Sequence, residues 1–141
     1  MDTIIRGNRI ENPCGGGIVL RSASNLLIEG NIITNPIMEA GIEVVGGTDP
    51  EINVGFPRDA EPTIRDNVIT VVSSMPGIRL EPRVGGSITG NTIETAQTSI
   101  IVGADSTADI SGNTVCGGTG GITLLLPNEI DVSDNEICDV T

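Results

Sequence analysis

Six times along this chain of 141 residues an aliphatic residue is followed by any residue, Gly or Asp, Asn, any residue and a second aliphatic residue. The segments are 5–10, 28–33, 64–69, 88–93, 110–115 and 132–137, and their asparagines, Asn8, Asn31, Asn67, Asn91, Asn113 and Asn135, stand 23, 36, 24, 22 and 22 residues apart. A near-fixed period of that size marks a solenoid, because each unit is too small to bury an apolar face alone and must stack on its neighbours.

A second element keeps step with the first. Gly17-Ile-Val-Leu20, Gly41-Ile-Glu-Val44, Gly77-Ile-Arg-Leu80, Ser99-Ile-Ile-Val102 and Gly121-Ile-Thr-Leu124 each follow an asparagine segment by eight to ten residues. Their apolar residues alternate, which is the period of a half-buried strand, and Val19, Glu43, Arg79, Ile101 and Thr123 then face outward. No window holds the i, i+3, i+4, i+7 pattern of a core helix. Strands rich in Ile, Val and Thr, bounded by Gly, Asn, Asp and Pro, must therefore stack in parallel about 4.8 Å apart. The expected fold is all-β: a single-stranded parallel β-helix of about six rungs of 22–24 residues, with columns such as Ile18, Ile42, Ile78, Ile100 and Ile122 inside. Crossovers between parallel strands are almost always right-handed, so the coil is expected to be right-handed.

The Gly-Asn or Asp-Asn pair falls where the chain must bend between strands, and both Gly and Asn tolerate positive φ. Six inward asparagines at equivalent corners can satisfy one another's amides along the stack, so the Asn ladder reads as structural rather than catalytic.

This pattern, from Ile4 to Ile137, resembles the parallel β-helix repeats of pectin-lyase-like and NosD-like proteins, the carbohydrate-binding and sugar-hydrolase repeats. The resemblance implies a fold rather than one reaction, since it spans lyases, hydrolases, epimerases, phage tailspikes and modules without known chemistry. It also implies where a substrate would lie: along the outer face of the Gly-Ile-x-Leu sheet, walled by the flanking loops. That face carries Glu43, Arg79 and Glu81, to which the long insertion adds Asp49, Glu51, Arg58, Asp59 and Glu61. The candidate catalytic residues are Glu43, Arg79, Glu81, Asp49 and Asp59, and Arg58 and Phe56 are candidate substrate contacts. The family's calcium-binding Asp cluster has no match here, so calcium lacks support and no cofactor is expected.

Composition weighs against catalysis. The chain has no His, Lys, Tyr or Trp, and Phe56 is its one aromatic residue. Acid-base work at neutral pH would rest on Asp, Glu, Arg or Cys, and a sugar groove would lack aromatic platforms. Carboxylate pairs nevertheless suffice for glycoside hydrolysis. A charge balance of 19 acidic to 7 basic residues, net −12, argues against nucleic acid or an anionic membrane as partner. Without His or a Cys-x-x-Cys pair, no metal site is expected. Of Cys14, Cys116 and Cys138, the last two should stack in adjacent rungs with parallel Cβ vectors, a geometry that suits free thiols.

A structural reading accounts for the same charges. Glu43 and Arg79 fall at matching positions in successive rungs and are expected to form a surface ion pair; Arg6, Glu29 and Arg65 make a similar column. The insertion at 46–62, stiffened by Pro50, Pro57 and Pro62, reads as a lid, binding loop or contact, with Phe56 available as an anchor. The chain starts and stops inside the repeat and lacks a secretory signal. It is therefore expected to be a single domain, 1–141, cut from a longer extracellular or cell-surface solenoid, or otherwise cytoplasmic. Flanking rungs or a homo-oligomer should cover the open ends. Two function classes fit: a non-catalytic β-helix module acting as scaffold or carbohydrate-contacting surface, or a polysaccharide lyase, hydrolase or epimerase domain.

Overall fold

The computed structural model describes residues 3–21, 25–45 and 60–139, and every regular element among them is a β-strand. Each turn of the coil contributes one strand to each of three parallel sheets. Sheet 1 stacks Thr3–Arg6, Leu26–Glu29, Pro62–Arg65, Ser87–Thr89, Asp109–Ser111 and Val132–Ser133 in that order. Sheet 2 stacks Arg9–Glu11, Ile32–Thr34, Val68–Val71, Thr92–Thr95, Thr114–Cys116 and Glu136–Cys138. Sheet 3 stacks Ile18–Arg21, Ile42–Val45, Ile78–Leu80, Thr98–Val102 and Gly120–Leu124. The described residues thus make five full turns and a sixth that supplies sheets 1 and 2 only, slightly short of six rungs.

Register is unbroken in all three sheets. Ile28, Ile64, Ile88 and Ile110 pair in succession in sheet 1, Ile33, Ile69, Ile93 and Val115 in sheet 2, and Ile42, Ile78 and Ile100 in sheet 3. All of these are buried, so the three inward columns meet in one continuous aliphatic core. β-Branched side chains suit it because like stacks on like at the strand spacing.

The Asn ladder closes the corner between sheets 1 and 2. Each Oδ1 from Asn31 to Asn135 accepts two hydrogen bonds from the asparagine one turn earlier, one from its backbone N–H and one from its side-chain amide, all 2.9–3.0 Å long. Each amide also donates backward to a strand carbonyl, as Asn67 does to Ile28 at 3.1 Å and Asn91 to Ile64 at 3.0 Å. Asn31, Asn67, Asn91 and Asn113 are buried, and this network meets the condition under which a buried amide is tolerated. The corner differs from the sequence expectation in one respect. Positive φ falls only on the residue before each ladder asparagine: Gly7, Gly30, Asp66, Gly90, Gly112 and Asp134.

The glycine that opens the sheet 3 strands has a steric cause. A Cβ on Gly41 would lie 2.6 Å from the Gly77 carbonyl oxygen, and one on Gly77 would lie 2.4 Å from Ile93 Cγ2. In the next turn Ser99 takes the same place, fully buried, with its Oγ 2.9 Å from Thr95 Oγ1.

Two further expectations are corrected. Pro62 is not loop but the first residue of a sheet 1 strand, and with Ala60 it is buried; the rest of the insertion, 46–59, lies outside the described residues. Cys116 and Cys138 are not free thiols but a disulfide, because register pairing brings their Cα atoms to 4.6 Å, within bridging range. Cys14 is exposed and unbridged.

Two measurements test this account. Asn91→Ala strips Asn67 of its acceptor and leaves the Ile64 carbonyl without its donor, so urea denaturation should show a loss of about 2–4 kcal/mol. Asn8→Ala, at the exposed end, should cost less than about 1 kcal/mol, because Asn31 Oδ1 keeps the Asn8 backbone N–H. Equal losses at the two sites would contradict a buried, directional ladder. Thiol titration of unreduced, denatured protein should count Cys14 alone, and a count that includes Cys116 and Cys138 would overturn the bridge.

Candidate functional site

The outer face of sheet 3 is assembled by the same register that builds the core. Val19 pairs with Glu43, Glu43 with Arg79, Arg79 with Ile101 and Ile101 with Thr123, and all five are partly exposed. Two residues farther along the strands, the same face presents Arg21 and Val45, which are register partners. Glu81 follows, its backbone N–H donating to the Val44 carbonyl at 3.0 Å. Glu39 joins from the preceding corner, where its Oε2 accepts a hydrogen bond of 3.2 Å from the Gly16 backbone N–H. Three carboxylates and two guanidinium groups therefore share one side of the coil.

Glu43 is the perturbed member. Burial pushes its carboxyl above the usual range; Arg79 opposes this, Glu81 and Glu39 push the same way, and Arg21 opposes. The expected Glu43–Arg79 ion pair does not form: the two residues are register partners, and Arg79 acts on Glu43 as a nearby opposite charge without the close contact that binds the other column. That column is tight: Glu29 holds Arg6 Nε at 2.7 Å through one carboxylate oxygen and Arg65 Nη2 at 2.6 Å through the other. Two arginines hold one carboxylate there, whereas neither Arg79 nor Arg21 makes such a contact with Glu43.

Of the sequence candidates, Glu43, Arg79 and Glu81 come together as expected. Asp49, Glu51, Phe56, Arg58 and Asp59 lie outside the described residues. Glu61 stands apart from Glu43 because it directly precedes a sheet 1 strand; it lines a groove of about 490 Å³ with Ile4, Leu27, Thr63 and Arg65. A second hollow, of about 430 Å³, lies between the last two corners joining sheet 3 to sheet 1, lined by Asp105, Ser106, Thr107, Pro127, Asn128 and Glu129. The sequence reading missed Arg21, Glu39 and both hollows. Arg21 was legible, being two residues beyond Val19 on the same strand face. Among the described residues no group of three or more His, Cys, Asp or Glu is arranged to hold a metal ion.

The family model described as a right-handed β-helix region matches residues 1–137, which assigns the coil its hand. No curated protein and no solved structure gives a match.

The state of Glu43 has a measurable consequence. A carboxyl raised in the folded protein binds more protons in the native state than in the unfolded one. Its stabilising share is therefore full below the unfolded value of 4.5 and is lost as pH rises through the folded value. Denaturation midpoints from about pH 4 to about pH 7 should show that decline in the wild type and a flatter profile in Glu43→Gln. A gap between the two proteins that stays constant with pH would remove the case for a perturbed Glu43.

Proposed function

We propose, for a chain that belongs to the right-handed β-helix family, that it is a non-catalytic module whose sheet 3 outer face meets carbohydrate. The observation that carries this reading is the uncommitted charge on that face: Arg79 and Glu43 are neighbours without the short contacts that saturate Glu29. Guanidinium and carboxyl groups in this condition keep hydrogen-bonding capacity for sugar hydroxyls and, at Arg79, for a uronate carboxylate. A linear glycan laid along the coil axis would meet a new rung about every 4.8 Å, so successive sugars would find side chains at regular intervals.

One observation favours a second reading. A carboxyl held protonated beyond its ordinary range, beside Glu81 and Glu39, is what a glycosidic general acid requires, and Arg79 could then act on a uronate substrate. The absence of His, Lys and Tyr leaves such a reaction no other acid or base than carboxylates, Arg and Cys, which keeps this reading second.

Affinity electrophoresis in gels containing uronate-rich or neutral polysaccharide, run beside a reducing-end assay, separates the two. Retardation without turnover, weakened about tenfold in Arg79→Ala, is the expected result. Turnover abolished by Glu43→Gln would establish the enzyme reading, and neither retardation nor turnover on any glycan would dismiss carbohydrate contact by this face.

A further inference from the structure

The three outer faces differ at the second and third turns. Sheet 1 turns Glu29 and Arg65 outward there, and sheet 3 turns Glu43 and Arg79 outward. Sheet 2 instead turns out Ile32 and Val68, which are register partners, beside the paired hydroxyls of Thr34 and Thr70. The chain leaves these two strands through Ile37 and Met38 in one turn and through Val72 in the next, and the three are 55%, 71% and 69% exposed. Ile32, Ile37, Met38, Val68 and Val72 make up half of the large hydrophobic side chains exposed among the described residues, and all five belong to two adjacent turns. An apolar surface gathered in this way marks a contact site.

The charges that bracket the patch decide what fits it. Along the sheet 2 outer face it lies between Arg9 and Glu11 in the first turn and Glu94 in the fourth. Arg9 already holds Glu11: its Nε donates to Oε1 at 2.8 Å, and its Nη2 lies 2.5 Å from the same oxygen. That leaves over the Nη1 donors of a side chain that is 67% exposed. Arg6 and Arg65 are committed to Glu29 on sheet 1 and take no part. Glu94 is exposed and pairs with no described residue. Consider a two-fold axis lying in this face, parallel to the strands and midway between the second and third turns. It sets Ile32 of one copy on Val68 of another, Thr34 on Thr70, and the corner of Ile37 and Met38 on Val72. At both ends of the patch it brings Glu94 of one copy to the Arg9–Glu11 pair of the other. Arg9 then lies between two carboxylates, as Glu29 lies between two guanidinium groups on sheet 1. Sheets pack face to face in this aligned manner about 10 Å apart.

We infer that the outer face of sheet 2, over the first four described turns, is a docking surface for the same face of a second copy of this chain, with the two coils side by side and antiparallel. The contact is lateral and needs no free end of the coil. Because it is isologous, it closes at two copies. The apolar area of two turns falls short of a standard interface, so association is weak, with a Kd of about 10–100 μM. The sheet 3 outer faces stay clear of the contact.

Sedimentation velocity of the 141-residue chain, from about 1 μM to about 1 mM, should show monomer passing to dimer and the mass stopping at two copies. Met38→Asp and Val72→Asp, at exposed positions outside the strands, should each weaken association at least about tenfold, with circular dichroism confirming an unchanged fold. Arg9→Glu gathers three carboxylates at each end of the patch and should weaken it as much. Adding Glu94→Arg to Arg9→Glu should restore the dimer. Adding Glu129→Arg instead gives the same net charge on a corner away from this face and should not. Arg9 and Glu94 stand three turns apart in one molecule, so their coupling reads contact between copies. A monomer over the whole range overturns the inference. So does growth beyond two copies, a dimer indifferent to Met38→Asp or Val72→Asp, or one that Glu94→Arg rescues no better than Glu129→Arg.

Discussion

Everything in this molecule depends on successive turns lying in register at one strand spacing, and the constraint is enforced most strictly by the buried asparagine amides. An aliphatic column tolerates a small slip with a modest loss of contact, whereas an amide displaced from its partner one turn away is left dry and unpaired in the core. The treatment of the insertion follows from this. Asn31 and Asn67 are 36 residues apart in sequence, yet their amides still meet at 3.0 Å, because the extra residues fall in sequence between the sheet 3 strand Ile42–Val45 and the sheet 1 strand Pro62–Arg65, away from the ladder corner. Length can vary at that corner; at the ladder corner it cannot.

Once the inner columns are set, the outer face is free to vary, and it does so rung by rung. The outward column of sheet 2 runs Arg9, Ile32, Val68, Thr92, Thr114, Glu136, which no packing rule requires. The column in sheet 1 that contains Glu29 holds that carboxylate between two arginines, while that of sheet 3 leaves Glu43 half-buried among competing charges. The same register that makes the fold insensitive to these residues brings them to fixed spacing, which a ligand could read.

What was legible in the sequence follows the period. Ile42, Ile78 and Ile100, or Asn91 and Asn113, are placed by counting, because a repeat converts sequence distance into spatial adjacency. Features that depend on what crosses between corners were not legible. Glu39 reaches Gly16 from a corner whose path no count of residues supplies, and the hollow lined by Asp105 and Glu129 depends on the shape of two successive corners. The cysteine pair shows the limit of geometric reasoning from ideal strands. Adjacency of Cys116 and Cys138 was deduced from the count, while the bridge that this adjacency permits was not. The steric need for Gly41 and Gly77 was likewise hidden, because it comes from the carbonyl or side chain of the next turn rather than from local backbone conformation.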